Sequence, residues 1–259
     1  MSELIKGVHS PPCMQAHHLH LLSIPVGPSM SKNSLQNYSN FHSLVPLHYE
    51  TVTFTTPNIS VMRATKPYTA NFYLQNGVEI LDFAGPLEVF NYAGIKVNII
   101  SKTLAHIKSQ DTLTIMPDYS LQNAPKADIL ALFGGHSEVV REDEAVLLWI
   151  RSQSEMVSYV FTVCTGALML AKAGLLEGLT ATTFHMELDT LVKEAPNTRV
   201  LPNTRFVDNG KVITTAGVSA GIDGALHLVQ KLYGEAKTAE VVKYMEYENW
   251  QPNRGKIIS

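Results

Sequence analysis

The chain has 259 residues, of which 45% are hydrophobic and 17% charged, and its formal net charge is −3. This composition is typical of a soluble globular protein with one sizeable core, and its weakly acidic balance favours neither nucleic acid nor an anionic membrane as a partner. No apolar run approaches the roughly 20 residues of a membrane span. Two distant cysteines predict a reducing, cytoplasmic location rather than a disulfide framework.

Residues 1–66 differ in composition from the rest of the chain. They carry few charges, are rich in Pro, Ser, Asn and His, and show no helical or strand period, which predicts a disordered extension. The segment lacks the basic and apolar pattern of a signal peptide, and it has no arginine before Arg63, whereas a transit peptide is rich in arginine. Its metal-binding side chains do not have the spacing of a structural zinc site, so no metal is expected; they are Cys13, His17, His18 and His20.

From residue 67 to residue 259, strand and helix patterns alternate. The predicted strands are 71–74, 96–101, 129–133, 156–163, 179–183 and 212–215, with a small hairpin at 107–116. The predicted helices are 83–92, 142–153, 168–173, 219–233 and 236–247. This alternation favours one α/β domain with a parallel sheet covered by helices on both faces, and a functional site at the carboxyl ends of its strands.

Cys164 lies at the junction of a predicted strand and a predicted helix. The apolar run 159–163 precedes it, and the small residues Thr165, Gly166 and Ala167 follow it. This order is typical of a nucleophile elbow, in which a strained turn lifts one side chain to the first N–H groups of a helix. Those groups would stabilise a thiolate. The alternative interpretation is a buried cysteine that only packs in the core.

Asp82 lies where the apolar run 78–81 meets the helix predicted at 83–92. In one interpretation it caps that helix. In the other, its carboxyl group reaches over the strand ends to Cys164, where burial beside a thiolate would raise its pKa and make it an acid or a base. The two interpretations are compatible.

Gly134 and Gly135 end the buried strand 129–133. They serve as a simple turn, or they form with Gly166 a backbone pocket for a developing negative charge, in which N–H groups of Gly135 and Thr165 converge. Thr165 is either a helix cap or a hydroxyl partner of the thiolate or substrate. Asp223 and His227, one helical turn apart, are predicted to serve packing or helix electrostatics.

Four strings together resemble the ThiJ/PfpI superfamily: VEILDFAGPLEVF, FGGHS, VCTGALMLAKAGLLEGLTATT and VITTAGVSAGIDGAL. The likeness extends from about residue 69 to residue 247 and implies a flavodoxin-like fold related to class I glutamine amidotransferase domains. Within the superfamily, the chain is most similar to the isonitrile hydratase branch, which has an Asp-x-x-Gly-Pro element and a Cys-Thr-Gly elbow. The matching positions here are Asp82, Gly85, Pro86, Cys164, Thr165 and Gly166.

The other branches of the superfamily match less well. Relatives of the protease type have histidine at the position of Thr165, and the glyoxalase and deglycase branches generally have glutamate at that of Asp82. Transcription regulators continue into a helix-turn-helix module, for which few residues remain after 233. Many relatives read Thr-Thr-His where this chain has Phe184 between Thr183 and His185, so the substrate is less well defined than the nucleophile.

The resemblance implies a lyase that hydrates an isonitrile to an N-substituted formamide, with Cys164 as nucleophile, Asp82 as acid and base and Thr165 as a required neighbour. The substrate is expected to be a small electrophile, without metal or organic cofactor, and the protein a homodimer. The expected pocket residues are Phe83, Gly85, His136, Phe184 and His185, and a direct role for either histidine is left open. The alternatives are a hydrolase or glyoxalase acting on small carbonyl compounds and a non-enzymatic redox sensor.

Overall fold

The computed structural model describes residues 67–258. The predictions of a disordered extension and of a metal-free Cys13 and histidine cluster concern residues outside this range. The strands are β1 (Thr69–Tyr73), β2 (Lys96–Ser101), β3 (Ile107–Ser109), β4 (Leu113–Ile115), β5 (Tyr119–Ser120), β6 (Ile129–Leu132), β7 (Tyr159–Thr162), β8 (Thr180–Ala181), β9 (Arg199–Val200), β10 (Phe206–Asp208), β11 (Val212–Thr215) and β12 (Lys256–Ile257). The helices are α1 (Ile80–Ala93), α2 (Glu138–Arg141), α3 (Glu144–Met156), α4 (Gly166–Lys172), α5 (Leu188–Glu194), α6 (Ala220–Tyr233) and α7 (Glu235–Tyr244).

The central sheet has eight strands in the order β12-β10-β11-β7-β6-β1-β2-β5. All its neighbouring pairs are parallel except β10 with β11. The mostly parallel, flavodoxin-like α/β fold is therefore confirmed. In the four middle strands, Tyr73 is paired with Leu132, Leu132 with Thr162, and Thr162 with Thr214. Because the strands end at one level, the loops that follow them meet at one edge of the sheet.

Alternating side chains of the middle strands build a core on each face of the sheet. Phe72, Ala131, Phe161 and Ile213 belong to the cluster that contains residues of α1, α6 and α7. The neighbouring positions along the same strands, including Tyr73, Leu132 and Val160, belong to a second cluster with residues of α3, α4 and α5. Helices thus cover both faces, and none of those within residues 67–258 meets the length and hydropathy needed to cross a membrane.

Several predicted boundaries were wrong. The helix predicted at 83–92 begins at Ile80, so the apolar run 78–81 is partly its first turn. The strand predicted at 156–163 begins at Tyr159, because α3 continues to Met156. The run 179–183 contributes only the two residues of β8, which pairs with β9 outside the central sheet. Short elements with little periodicity, such as α5 and β10, were not predicted.

Close packing of α1 against α6 brings together two distant parts of the chain. A Cβ atom on Gly85 of α1 would lie 2.7 Å from Cγ1 of Ile222 of α6, and one on Gly221 of α6 would lie 3.3 Å from Cγ of Pro86 of α1. Glycine at these positions therefore lets the helices approach closely. As a result, the loop that enters α6 reaches the first turn of α1.

Candidate active site

The candidate site lies where the loops after β1, β6, β7 and β11 meet. Asp82 stands in the first turn of α1, which follows β1, and Gly134 follows β6. Cys164 follows β7, and Val218 lies between β11 and α6. Since these four strands are neighbours and parallel, their carboxyl ends converge at this edge, as predicted for a site in such a sheet.

Cys164 occupies a left-handed turn between β7 and α4. Its φ angle is 59°, a conformation that costs a non-glycine residue about 1–2 kcal/mol, and its exposed fraction is 6%. Its N–H donates to the carbonyl of Ala216 at 3.1 Å, and its carbonyl accepts from Oγ1 of Thr183 at 2.8 Å. Both peptide groups are thus held by neighbouring segments, which fixes the strained turn.

The Asp82 carboxylate is fully buried and bound by two distant backbone amides. Gly134 N–H donates to Oδ2 at 2.9 Å, and Val218 N–H donates to Oδ1 at 3.0 Å. Asp82 does not cap α1: the N-cap is Glu79, and Asp82 lies three residues further on, inside the first turn. The capping interpretation was therefore wrong, and the carboxylate is directed to the loops at the sheet edge.

The thiol and the carboxyl group interact, and burial dominates the acidity of both. Burial raises the pKa of Asp82 to about 7, although hydrogen bonds from Gly134, the Cys164 thiol and Val218 oppose the rise. Burial, and then the Asp82 charge, raise the pKa of Cys164 to about 12, although the N–H groups of Thr165 and Val218 favour the thiolate. At neutral pH the pair therefore retains a proton, and the resting sulfur is a thiol rather than the thiolate that the helix terminus alone suggested.

The predicted backbone pocket needs correction. The N–H of Gly134 is used by Asp82, and that of Gly166 donates to the carbonyl of Val163 at 2.9 Å, so neither is a free donor. Gly135 N–H has no hydrogen-bond partner among the described residues. A Cβ atom on Gly134 would lie 2.7 Å from the Thr165 nitrogen and 2.8 Å from Oδ2 of Asp82, so glycine is needed here for space.

The hydroxyl of Thr165 lies at the same edge of the sheet. It donates to the carbonyl of Gly135 at 3.3 Å. Thr165 holds the N-cap position of α4, but its side chain makes no capping hydrogen bond. The hydroxyl thus links the start of α4 to the loop after β6.

The five residues predicted to line a substrate pocket do not lie together. Phe83 is a buried core residue whose ring centroid is 6.4 Å from that of Phe133. Gly85 lies in the α1–α6 contact. Placing these two in a pocket was wrong, because the α1 face that carries them packs inward.

The two histidines line different cavities. His136 lines one of about 520 Å³ at the ends of β1 and β2. His185 lines one of about 350 Å³ on the side of β11, with the Phe184 ring centroid 4.4 Å from its own. Neither Cys164 nor Asp82 lines these cavities.

Two residues of the site were not foreseen from the sequence. Val218 has a φ angle of 52°, which is rare for a β-branched residue, and this conformation accompanies the donation of its N–H to Asp82. Gln75 is buried, and its Nε2 donates to the carbonyls of Phe133 and Gly134 at 3.1 and 3.2 Å, which holds the loop after β6. The sequence could have indicated a role for Gln75, because a side-chain amide just beyond the end of a buried strand needs hydrogen-bond partners.

The remaining polar predictions, Asp223 and His227, concern α6. Ser219 is at the N-cap of α6 but makes no capping hydrogen bond, and its Oγ accepts from the Arg205 guanidinium. Asp223 pairs with Arg205, and His227 pairs with Asp208 at 2.8 Å. Within residues 67–258, no group of three or more His, Cys, Asp or Glu side chains is arranged to hold a metal ion.

Known proteins resemble this chain over most of the described range. An isonitrile hydratase of Pseudomonas putida is 37% identical over 180 residues, which are 68% of this chain and 77% of the hydratase. The HTH-type transcriptional regulator GbdR of Pseudomonas aeruginosa is 27% identical over 194 residues, which are 70% of this chain and 51% of the regulator. A crystal structure of a ThiJ/PfpI family protein from Pseudomonas syringae superposes with a TM-score of 0.69 at 26% identity, covering 80% of this chain and 86% of that protein.

The sequence signature of the DJ-1/PfpI family matches residues 69–231. This range contains all four strings on which the resemblance was based, as well as the four loops of the candidate site. The chain belongs to the DJ-1/PfpI family.

Proposed function

We propose that the protein is a cysteine-dependent hydratase that converts an isonitrile into an N-substituted formamide. The observation that carries the proposal is the buried Asp82–Cys164 pair, in which a carboxyl group of raised pKa contacts a thiol. The 37% identity to an isonitrile hydratase supports this substrate class. Hydrating a carbon electrophile requires a nucleophile and a group that moves protons, and the pair supplies both.

The proposed reaction begins with transfer of the thiol proton to Asp82. Sulfur then bonds to the terminal isonitrile carbon, and that carbon takes the proton from Asp82, which gives a thioformimidate on Cys164. Asp82, again a carboxylate, accepts a proton from water as the water oxygen bonds to the same carbon, and passes that proton to nitrogen. The carbon–sulfur bond breaks, the sulfur recovers the remaining hydroxyl proton through Asp82, and the formamide leaves. One water is consumed and the thiol is regenerated.

The raised pKa values suit this sequence of steps. A carboxyl group that titrates near neutral pH is effective both as acceptor and as donor of a proton. The amides of Thr165 and Val218, which favour the sulfur anion, are in place when the proton leaves. Because a protonated thiol reacts slowly with peroxide, the buried resting thiol argues for an enzyme over the redox-sensor alternative.

The proposal is tested by assaying the purified protein for formamide release from cyclohexyl isocyanide and, separately, for consumption of methylglyoxal. We expect catalytic turnover of the isonitrile and little consumption of methylglyoxal. Methylglyoxal consumption without formamide release would favour the glyoxalase-type alternative. Peroxide-dependent mass gain at Cys164 with no turnover of either compound would favour the sensor. The homodimer stays a prediction, which light scattering would test.

Replacing Gly134 by alanine should reduce formamide release by about 100-fold, because the new Cβ must displace the Thr165 amide or the Asp82 carboxylate and misplaced catalytic groups cost about that much. The free energy of unfolding should fall by about 1–3 kcal/mol. Gly178→Ala is the matched control, since Gly178 has a φ angle of 72° and no atom near the position of a Cβ. Its left-handed backbone should cost about 1 kcal/mol without changing activity. Equal activity in the two variants would contradict the assignment.

A further inference from the structure

A cavity beside the elbow has the chemistry of an anion site. We call it the arginine cavity; it measures about 350 Å³, and its polar lining residues include Arg205, Arg254, His185, Asn203 and Thr183. No Asp or Glu is among its lining residues. A cavity lined by cations and neutral donors, without a carboxylate, is complementary to a negatively charged group.

The two arginines retain capacity for a ligand. The Nε of Arg205 pairs with the buried Asp223, and its Nη1 and Nη2 reach the Ser219 hydroxyl only at 3.3 Å. The guanidinium also hydrogen-bonds the Tyr247 hydroxyl, so one of its five N–H groups has no partner among the described residues. Arg254 has no ion pair among the described residues. Its backbone carbonyl accepts a hydrogen bond from the backbone N–H of Arg205 at 3.2 Å. Since Asp223 balances the charge of Arg205, the cavity keeps the positive charge of Arg254.

The arginine cavity shares its wall with the backbone of Cys164. Thr183, a lining residue, donates to the Cys164 carbonyl at 2.8 Å, and Ala216, another, accepts from the Cys164 N–H at 3.1 Å. Two hydrogen bonds of the elbow residue's peptide groups therefore end on the cavity lining, and the Cys164 carbonyl accepts a third, from Ala167 N–H at 3.4 Å. Cys164 does not itself line the cavity, so a group bound there is one lining residue away from the residue that carries the sulfur.

We infer that the arginine cavity binds an anionic group of carboxylate or phosphate type, and that the substrate supplies it as a tail. This inference rests on the proposed function and narrows its substrate class to isonitriles with a negatively charged substituent. Arg254 then acts as a specificity-determining residue, because it provides the uncompensated charge. Neutral isonitriles react at the same thiol without this contact.

The test compares 4-isocyanobutanoate with its methyl ester as substrates of the full-length protein at low salt. We expect kcat/KM to favour the carboxylate about tenfold. Arg254→Gln should remove this preference mainly by raising KM for the carboxylate, with the ester unaffected. Arg199→Gln is the matched control, because Arg199 is exposed and lies outside the cavity lining; it should retain the preference. Turnover of both compounds with equal kcat/KM in the wild type would overturn the inference and leave the proposed function standing.

A second experiment distinguishes an anionic group carried by the substrate from a free anion. Binding of inorganic phosphate is measured by calorimetry for the wild type and for Arg254→Gln. If neither isonitrile is turned over, the proposed function fails; phosphate binding that Arg254→Gln removes would still support the anion site, with a free anion as its source. Absence of turnover together with absent or variant-insensitive phosphate binding would overturn the inference as well.

Discussion

Replacing Cys164 by alanine is expected to abolish formamide release, with a loss of roughly 10⁴-fold or more in kcat. The reason is that the sulfur forms the bond to the isonitrile carbon, and no other cysteine lies within residues 67–258. Since the side chain is small and already buried, the substitution should lower the free energy of unfolding by only about 1 kcal/mol. Stopped assays of formamide release, with thermal unfolding of the same samples, check both expectations.

Cys164→Ser is the sharper version of this experiment. Serine keeps the size, the left-handed turn and a proton for the Asp82 carboxylate, but its hydroxyl is a much weaker nucleophile at neutral pH than a thiol. We expect a folded protein with turnover close to that of Cys164→Ala. A serine or alanine variant whose rate lies within tenfold of the wild-type rate would contradict the proposed mechanism.

Asp82→Asn is expected to lower kcat/KM by about 10²–10⁴-fold, the usual contribution of a general acid or base. The pH profile of kcat/KM shows whether this loss comes from proton transfer by Asp82. In the wild type, kcat/KM should rise with pH through about 7, because a protonated Asp82, whose pKa is raised to about 7, cannot accept the thiol proton. In Asp82→Asn this limb should disappear. A rising limb near pH 7 that persists in the variant would assign it to another group.

The free energy of unfolding should also depend on pH through the titration of Asp82. The pKa of Asp82 is higher in the folded protein, about 7, than its ordinary 3.8, so the folded state holds the proton more tightly. This group therefore favours folding below about pH 4 and loses that contribution as the pH rises to about 7. Relative to Asp82→Asn, the wild-type free energy of unfolding should fall by up to about 4 kcal/mol over that window, at 1.36 kcal/mol per pKa unit. Denaturant titrations at several pH values measure it.

Local patterns predicted the strand, turn and helix around Cys164, and long-range packing accounts for what they missed. The strand, turn and helix around Cys164 are contiguous in sequence, so the elbow could be located from residue types alone. The position of Asp82 beside it depends on the pairing of β1 with β6 and of β6 with β7, which the alternation of elements only implied. The hypothesis that Asp82 reaches Cys164 came from its position where a strand pattern meets a helix pattern, and the resemblance to a family supported it.

The errors also have physical causes. Phe83 and Gly85 were assigned to a pocket because they flank Asp82 in sequence, but helical geometry directs them to the core and to α6. The free thiolate was expected from the helix terminus, and burial outweighs that effect. The role of Val218 could not be predicted, because no sequence pattern indicates that a β-branched residue adopts a positive φ angle.

The carboxylate of Asp82 also ties together remote parts of the chain. Its two amide donors lie 52 and 136 positions further along the sequence. During synthesis from the N-terminus, the second of these donors can reach Asp82 only after the segment around residue 218 has been made. A chain truncated before that segment would retain Cys164 and Asp82 but lack the Val218 amide that binds the carboxylate.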